Sequence, residues 1–167
     1  MTKLVPAPNG WLCPNDPGEP GKNAPRWSVN DVEAKLVSEI LAGRRVLEVG
    51  TGLGVATHKI AEKSEVYTVD IDPWVKKTVA PDLPKNVRFF DNIKDVPRPL
   101  DGAFIDGRHT YEDCLRDIKD AMEIVPDGVF VFHDTKMNTV YSAIRDSGLE
   151  FVMVHTIAGM AIAWRKA

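Results

Sequence analysis

From residue 28 onward, five short runs rich in apolar and β-branched residues alternate with segments of helical periodicity, and this alternation constrains the fold more than any other feature. The runs are Arg45–Val49, Glu65–Val69, Val87–Phe90, Asp101–Ile105 and Val129–Phe132. Strands joined by crossover helices run parallel, so the pattern predicts an α/β fold, an open and mostly parallel sheet with helices on both faces. Val129–Phe132 is apolar throughout, as a strand covered on both sides should be. In such sheets ligands sit beyond the carboxyl ends of the strands, where the strand order reverses. Glu48 to Gly54, Asp70, Asp91, Asp106 and Asp134 all fall at such ends.

The helices are read from spacing. Ser28 can cap a first helix with apolar positions Val29, Val32, Leu36, Val37 and Ile40, ended by Gly43. A second helix covers about Val55 to Lys63, and Pro73 suits the first turn of a short third. A fourth places Tyr111, Cys114, Leu115, Ile118, Met122 and Val125 on one face, with Asp113, Arg116, Asp117 and Asp120 on another. A fifth carries Met137, Val140, Tyr141 and Ile144. Phe151–Val154 and Met160–Trp164 lie too close together for a crossover helix, so they should pair antiparallel as a terminal hairpin.

With 167 residues, 44% of them hydrophobic, the chain can bury one core, and residues 28–167 read as a single domain. Residues 1–27 form a proline-rich arm whose composition excludes regular helix or strand. Trp11, Leu12 and Trp27 are costly to leave in water, so the arm is expected to lie ordered over the domain. A formal charge of −3 with interspersed signs argues against nucleic-acid or membrane partners. Cys13 and Cys114 are the only cysteines, no leader pattern precedes them, and no apolar run approaches the roughly 20 residues of a membrane span. A reducing cytoplasm fits best, with Cys114 a small core residue.

Val46-Leu47-Glu48-Val49-Gly50-Thr51-Gly52-Leu53-Gly54 places glycines at alternate positions between a strand and a helix. Missing Cβ atoms let the backbone turn sharply and a ligand touch it, next to the free N–H groups of a helix start. Asp70, at the end of the next strand, can accept both hydroxyls of a ribose. Dinucleotide loops need glycine where this chain has Val55, which disfavours NAD. The pattern Glu-x-Gly-x-Gly-x-Gly resembles the first motif of the class I S-adenosylmethionine-dependent methyltransferases, and Val69-Asp70-Ile71-Asp72-Pro73 resembles their second. The resemblance runs from about Val46 to the C-terminus and implies their Rossmann-like sheet. It implies that Gly50, Thr51, Gly52 and Gly54 lie under the methionine part of S-adenosylmethionine, and that Glu48 holds the loop or reaches the amino group. It also implies that Asp70 binds the ribose, Ile71 packs on adenine, and Asp91 or Asn92 addresses the adenine edge. Asp91-Asn92 also reads as an ordinary turn.

Asp106-Gly107-Arg108-His109-Thr110-Tyr111, taken with His133-Asp134, resembles methyltransferases that act on small molecules and sugars. Some relatives hold a divalent metal there, usually magnesium. Asp106 and Asp134 match ligand positions, whereas His133 stands where those sites carry a carboxylate, and magnesium prefers oxygen. Methyl transfer to a hydroxyl needs a proton acceptor, and an imidazole is suited to it. His109 is the candidate base, with Asp106 beside it; its competing reading is a cap of the fourth helix. His58 and His155 read as structural and Tyr111 as core. The expected function is S-adenosylmethionine-dependent O-methylation of a small hydroxylated metabolite or sugar, the alternative a non-catalytic binding protein of the same fold. The pocket is expected to be closed by Trp11 and Trp27 or completed by a second copy of the chain. An amino-group nucleic-acid methyltransferase would carry an Asn/Asp-Pro-Pro-aromatic segment after the fourth strand, which this chain lacks.

Overall fold

The computed structural model describes residues 29–166 and the backbone of two short strands, Leu4–Pro6 (β1) and Leu12–Pro14 (β2). These two pair antiparallel with Val5 opposite Cys13, so the proline-rich segment forms regular strand where its composition was read as excluding it. Each strand is three residues long with proline at its last position, so only a terminal rung loses a donor. The expected packing of Trp11 and Trp27 lies outside the described residues.

The domain runs α1 (Asp31–Ile40), β3 (Arg45–Val49), α2 (Val55–Ala61), β4 (Glu65–Val69), α3 (Pro73–Thr78) and β5 (Val87–Phe90). It continues with β6 (Gly102–Ile105), α4 (Tyr111–Ile124), β7 (Val129–Phe132), α5 (Asn138–Asp146), β8 (Glu150–Val154) and β9 (Met160–Trp164). The sheet order is β5-β4-β3-β6-β7-β9-β8. β3 to β7 are mutually parallel; β9 pairs antiparallel with both β7 and β8. The mostly parallel sheet with an antiparallel terminal hairpin is therefore as expected. Strand order reverses between β3 and β6, which opens a crevice past their carboxyl ends.

The two-residue period of each strand divides the core between the faces. Leu47, Val49, Ala103, Ile105, Phe130 and Phe132 meet Ile118 and Ala121 of α4 and Val140 and Ile144 of α5. Val46, Val66, Phe104 and Val131 meet Val37 of α1 and Ile60 of α2 on the opposite side. Full burial of side chains of this size contributes about 1.5–3 kcal/mol each, which fixes the strand register.

The first helix departs from its reading. Asn30, not Ser28, is the N-cap, its Oδ1 accepting the Glu33 N–H at 3.0 Å. The buried stripe is Val29, Glu33, Val37 and Leu41, while Val32 is 71% exposed. Both stripes satisfy a helical period, and the sheet beneath selects the one that carries a carboxylate because a buried partner awaits it. The helix ends at Ile40, three residues before Gly43, and α2 ends at Ala61, two before Lys63. Elsewhere the boundaries follow from local chemistry: Asp72 caps α3 with Pro73 at its first position, and Thr110 caps α4. No helix among the described residues is long and apolar enough to cross a membrane.

Candidate active site

A cleft of about 800 Å³ opens at the carboxyl ends of the parallel strands, within the usual range for small-molecule sites. One wall is the glycine loop between β3 and α2. Gly50 has φ +95°, and a Cβ there would fall 2.2 Å from the Asp106 carbonyl oxygen, so only glycine lets the ends of β3 and β6 approach. Gly52 has φ +51°, and a Cβ there would meet nothing within 4 Å; a side chain would enter the space that the loop leaves open. Asp70 braces this loop: its Oδ2 accepts the Gly52 N–H at 2.9 Å and its Oδ1 the Asp72 N–H at 2.9 Å.

Glu48 lies beneath the loop, fully buried and outside the cleft lining. Its Oε2 accepts hydroxyl hydrogen bonds from Thr57 and Thr68, each 2.6 Å, and its Oε1 has no partner. Burial pushes its carboxyl up to about 8, against the pull of the two threonines. Thr51 Oγ1 stands 2.6 Å from Thr68 Oγ1, which ties the loop to the same buried cluster. Ile71 is exposed on the cleft wall, as are Asp91 and Asn92 beyond β5. Asp91 pairs with Lys76, and Asn92 accepts the Lys94 N–H at 3.0 Å as a turn cap.

The other wall joins residues from three places in the chain. Asp106 ends β6, His109 precedes α4, and His133 and Asp134 end β7. His109 Nε2 lies 3.0 Å from Asp134 Oδ2 and 3.7 Å from Asp106 Oδ1, near enough for ion pairing but out of line for a hydrogen bond. His133 Nδ1 lies 3.2 Å from Asp106 Oδ1 and 3.4 Å from Asp134 Oδ2. Asp106 and Asp134 push His109 up to about 9 against its partial burial. Burial opposes the imidazolium of His133, but Asp106, Asp134 and Glu33 outweigh it and raise its pKa strongly. Burial likewise opposes ionisation of Asp134, and the two histidines overcome it and hold its carboxyl far below the usual range. Asp134 adopts φ +56°, a left-handed backbone that is uncommon outside glycine and recurs at functional sites.

Two participants went unread in the sequence. Glu33 is buried under His133, its Oε2 3.1 Å from His133 Nε2 and its Oε1 accepting the Ala158 N–H at 2.9 Å. Burial works against its charge, but His133, Thr156 and the Ala158 amide hold its carboxyl below the usual range. The Asn30-x-x-Glu33 spacing is that of a capping box, and Asn30 Nδ2 does donate to Glu33 Oε2; that spacing was the available signal. Asp117, read only as part of the charged face of α4, lines the cleft, and burial pushes it up to about 6. Among the other histidines, His58 Nδ1 lies 2.7 Å from the Gly54 carbonyl, while His155 is exposed outside the cleft lining. Cys114 is buried, its thiol donating to the Arg108 carbonyl at 2.9 Å, and Tyr111 packs partly buried against the core.

Sheet order, terminal hairpin and glycine loop together define the class I methyltransferase fold, and solved structures agree. An O-methyltransferase of tomaymycin synthesis from Streptomyces achromogenes superposes with TM-score 0.68 at 17% identity, over 84% of this chain and 82% of its own. An amino pentose methyltransferase of calicheamicin biosynthesis from Micromonospora echinaspora gives 0.66 at 15%, over 81% and 91%. A tRNA (m1A58) methyltransferase from Aquifex aeolicus gives 0.63 at 21%, over 84% and 70%. No curated protein matches the sequence. The profile of a family described as a methyltransferase domain matches residues 47–135, more than half of the chain, and the chain belongs to that family.

Proposed function

We propose that this protein is an S-adenosylmethionine-dependent O-methyltransferase for a small hydroxylated acceptor, a sugar being the first class to test. The observation that carries the reading is the placement of His109 beside Asp106 and Asp134 in the same cleft as the glycine loop. The cradle suits such a donor: Gly52 leaves room that a side chain would fill, and Asp70 stands beside it. Gly50 to Gly54 would carry the methionine portion, Asp70 the ribose, and Ile71, Asp91 and Asn92 would border the adenine. Bound there, the donor would supply a methyl group activated by its sulfonium for transfer to the acceptor oxygen. With Nε2 held against Asp134, the other ring nitrogen of His109 would receive the acceptor's proton once the imidazolium, raised to about 9 by Asp106 and Asp134, is neutral, and Glu48 with its threonines keeps the loop rigid.

Asp106 and Asp134 are the residues that would hold a divalent cation, whose charge would acidify a nearby hydroxyl. His133 completes this donor group, with ligand atoms of all three residues within 4.8 Å of one another. An imidazole in that position fits magnesium poorly, since magnesium selects oxygen ligands. The acceptors of the structural neighbours range from tRNA to an amino pentose, and a shared fold does not choose among them.

The deciding experiment is calorimetric titration of the full chain with S-adenosylmethionine and S-adenosylhomocysteine, followed by methyl-transfer assays on hydroxylated acceptors. His109→Ala is expected to lower turnover about 10²–10⁴-fold while S-adenosylhomocysteine affinity stays unchanged. Binding without turnover on any acceptor would leave a cofactor-binding protein, and no binding would overturn the reading altogether.

A further inference from the structure

We infer that Asp106, Asp134 and His133 Nδ1 form a site for a borderline transition-metal ion of the zinc or cobalt type rather than for magnesium, with Glu33 as its positioning residue. The inference rests on the proposed role of Asp106 and Asp134 as cation ligands and specifies which cation they take.

Three observations carry it. The first is donor chemistry: one imidazole nitrogen and two carboxylates make a mixed N/O set, and imidazole suits zinc, iron, cobalt and nickel where all-oxygen sets suit magnesium. The second is spacing. His133 Nδ1 stands 3.2 Å from Asp106 Oδ1 and 3.4 Å from Asp134 Oδ2. Ligands about 2.0–2.1 Å from a four-coordinate centre are separated by about 3.3–3.4 Å. Three protein ligands with a fourth position open to the cleft is the arrangement of a catalytic rather than a structural ion. The third is what holds the imidazole. His133 is fully buried, and Glu33 engages its Nε2 at 3.1 Å from the opposite side. A metal-ligating histidine characteristically gives its other N–H to a carboxylate, which orients the ring toward the ion, and the ion would displace the proton that Nδ1 now shares with Asp106. Glu33 is itself held by Asn30 and by the Ala158 amide, so the orientation of His133 is set from outside the cleft. His109, nearer the cleft surface, is left as the proton acceptor.

The test uses the full, untagged chain stripped with a chelator and titrated separately with cobalt, zinc and magnesium. We expect one ion per chain, with cobalt binding roughly 100-fold or more tighter than magnesium. Visible absorption of the cobalt form and X-ray absorption at the zinc edge should report low coordination and an imidazole ligand. Glu33→Gln should weaken cobalt about 10–100-fold with S-adenosylhomocysteine affinity unchanged, and His133→Glu should move the preference toward magnesium. Circular dichroism verifies folding of each variant; if neither folds, the spectra of the native chain decide alone. Magnesium binding within tenfold of cobalt, a bound ion without imidazole scattering, or no bound ion would overturn the inference. S-adenosylhomocysteine binding in the absence of any metal site would refute this inference alone, whereas metal binding without S-adenosylhomocysteine binding would refute the proposed function instead.

Discussion

Glu33, in the first turn of α1, and His133, just past β7, lie one hundred residues apart in sequence and are joined in the interior at 3.1 Å. The contact makes the start of α1 part of the site wall, although α1 itself reaches the cleft lining with no side chain of its own. Removing Glu33 takes the buried acceptor from both His133 Nε2 and the Ala158 N–H, while Asp106 and Asp134 still face His133 Nδ1. Glu33→Ala is therefore expected to destabilise the protein by about 3–5 kcal/mol, read as a shift in urea midpoint. Val32→Ala, on the exposed side of the same helix, should change stability by less than about 0.5 kcal/mol. Equal losses from the two would mean that α1 packs by its other stripe.

Glu48 predicts a pH effect of definite sign. Its folded pKa is raised to about 8 from the ordinary 4.5, so over that window the unfolded chain releases a proton that the folded chain retains. The contribution of the group is fully present below the unfolded pKa and is lost as pH rises through the folded one, at up to about 1.4 kcal/mol per unit. Glu48→Gln keeps an acceptor for Thr57 and Thr68 and has no proton to lose. Unfolding free energies at pH 5 and pH 8, bracketing most of that window, should show the variant gaining on the native protein at the higher pH. An unchanged difference would mean that Glu48 ionises normally in the folded state.

Gly50→Ala combines a left-handed backbone with a collision against Asp106, whereas Gly148→Ala, at φ +85° with nothing within 4 Å, has the backbone strain alone. The second should cost about 1–2 kcal/mol, and the first should exceed it by about 1–3 kcal/mol of overpacking. Gly50→Ala should also lose S-adenosylhomocysteine binding, because the ends of β3 and β6 must separate. Comparable melting temperatures for the two variants would remove the close approach from the account.

Asp70→Ala should weaken S-adenosylhomocysteine binding about tenfold or more, the loss of hydrogen bonds to a charged acceptor being about 1.5–3 kcal/mol. An analogue lacking the 2′-hydroxyl separates ribose contact from the bracing of Gly52. The native protein should discriminate against it and Asp70→Ala should not. Equal discrimination by both proteins would confine Asp70 to holding the loop.

Much of the architecture was legible in local sequence because its signals are local. Arg45–Val49, Glu65–Val69, Val87–Phe90 and Val129–Phe132 were read with the limits the structure gives, since apolar runs end where turn-forming residues begin. The placement of Asp70, Asp106 and Asp134 at the carboxyl ends of the strands followed from the rule for parallel sheets. The short pairing of β1 with β2 is hidden by the proline content of the whole segment, because what permits it is the position of each proline at the end of its strand. What the sequence could not decide was which stripe of α1 turns inward, that Glu48 lies beneath the loop rather than in the cleft, and that Glu33 reaches His133. Periodicity records which residues share a face of one element, whereas the partner of a buried charge is set by elements brought together only when the sheet closes, and that is knowledge of the tertiary structure alone.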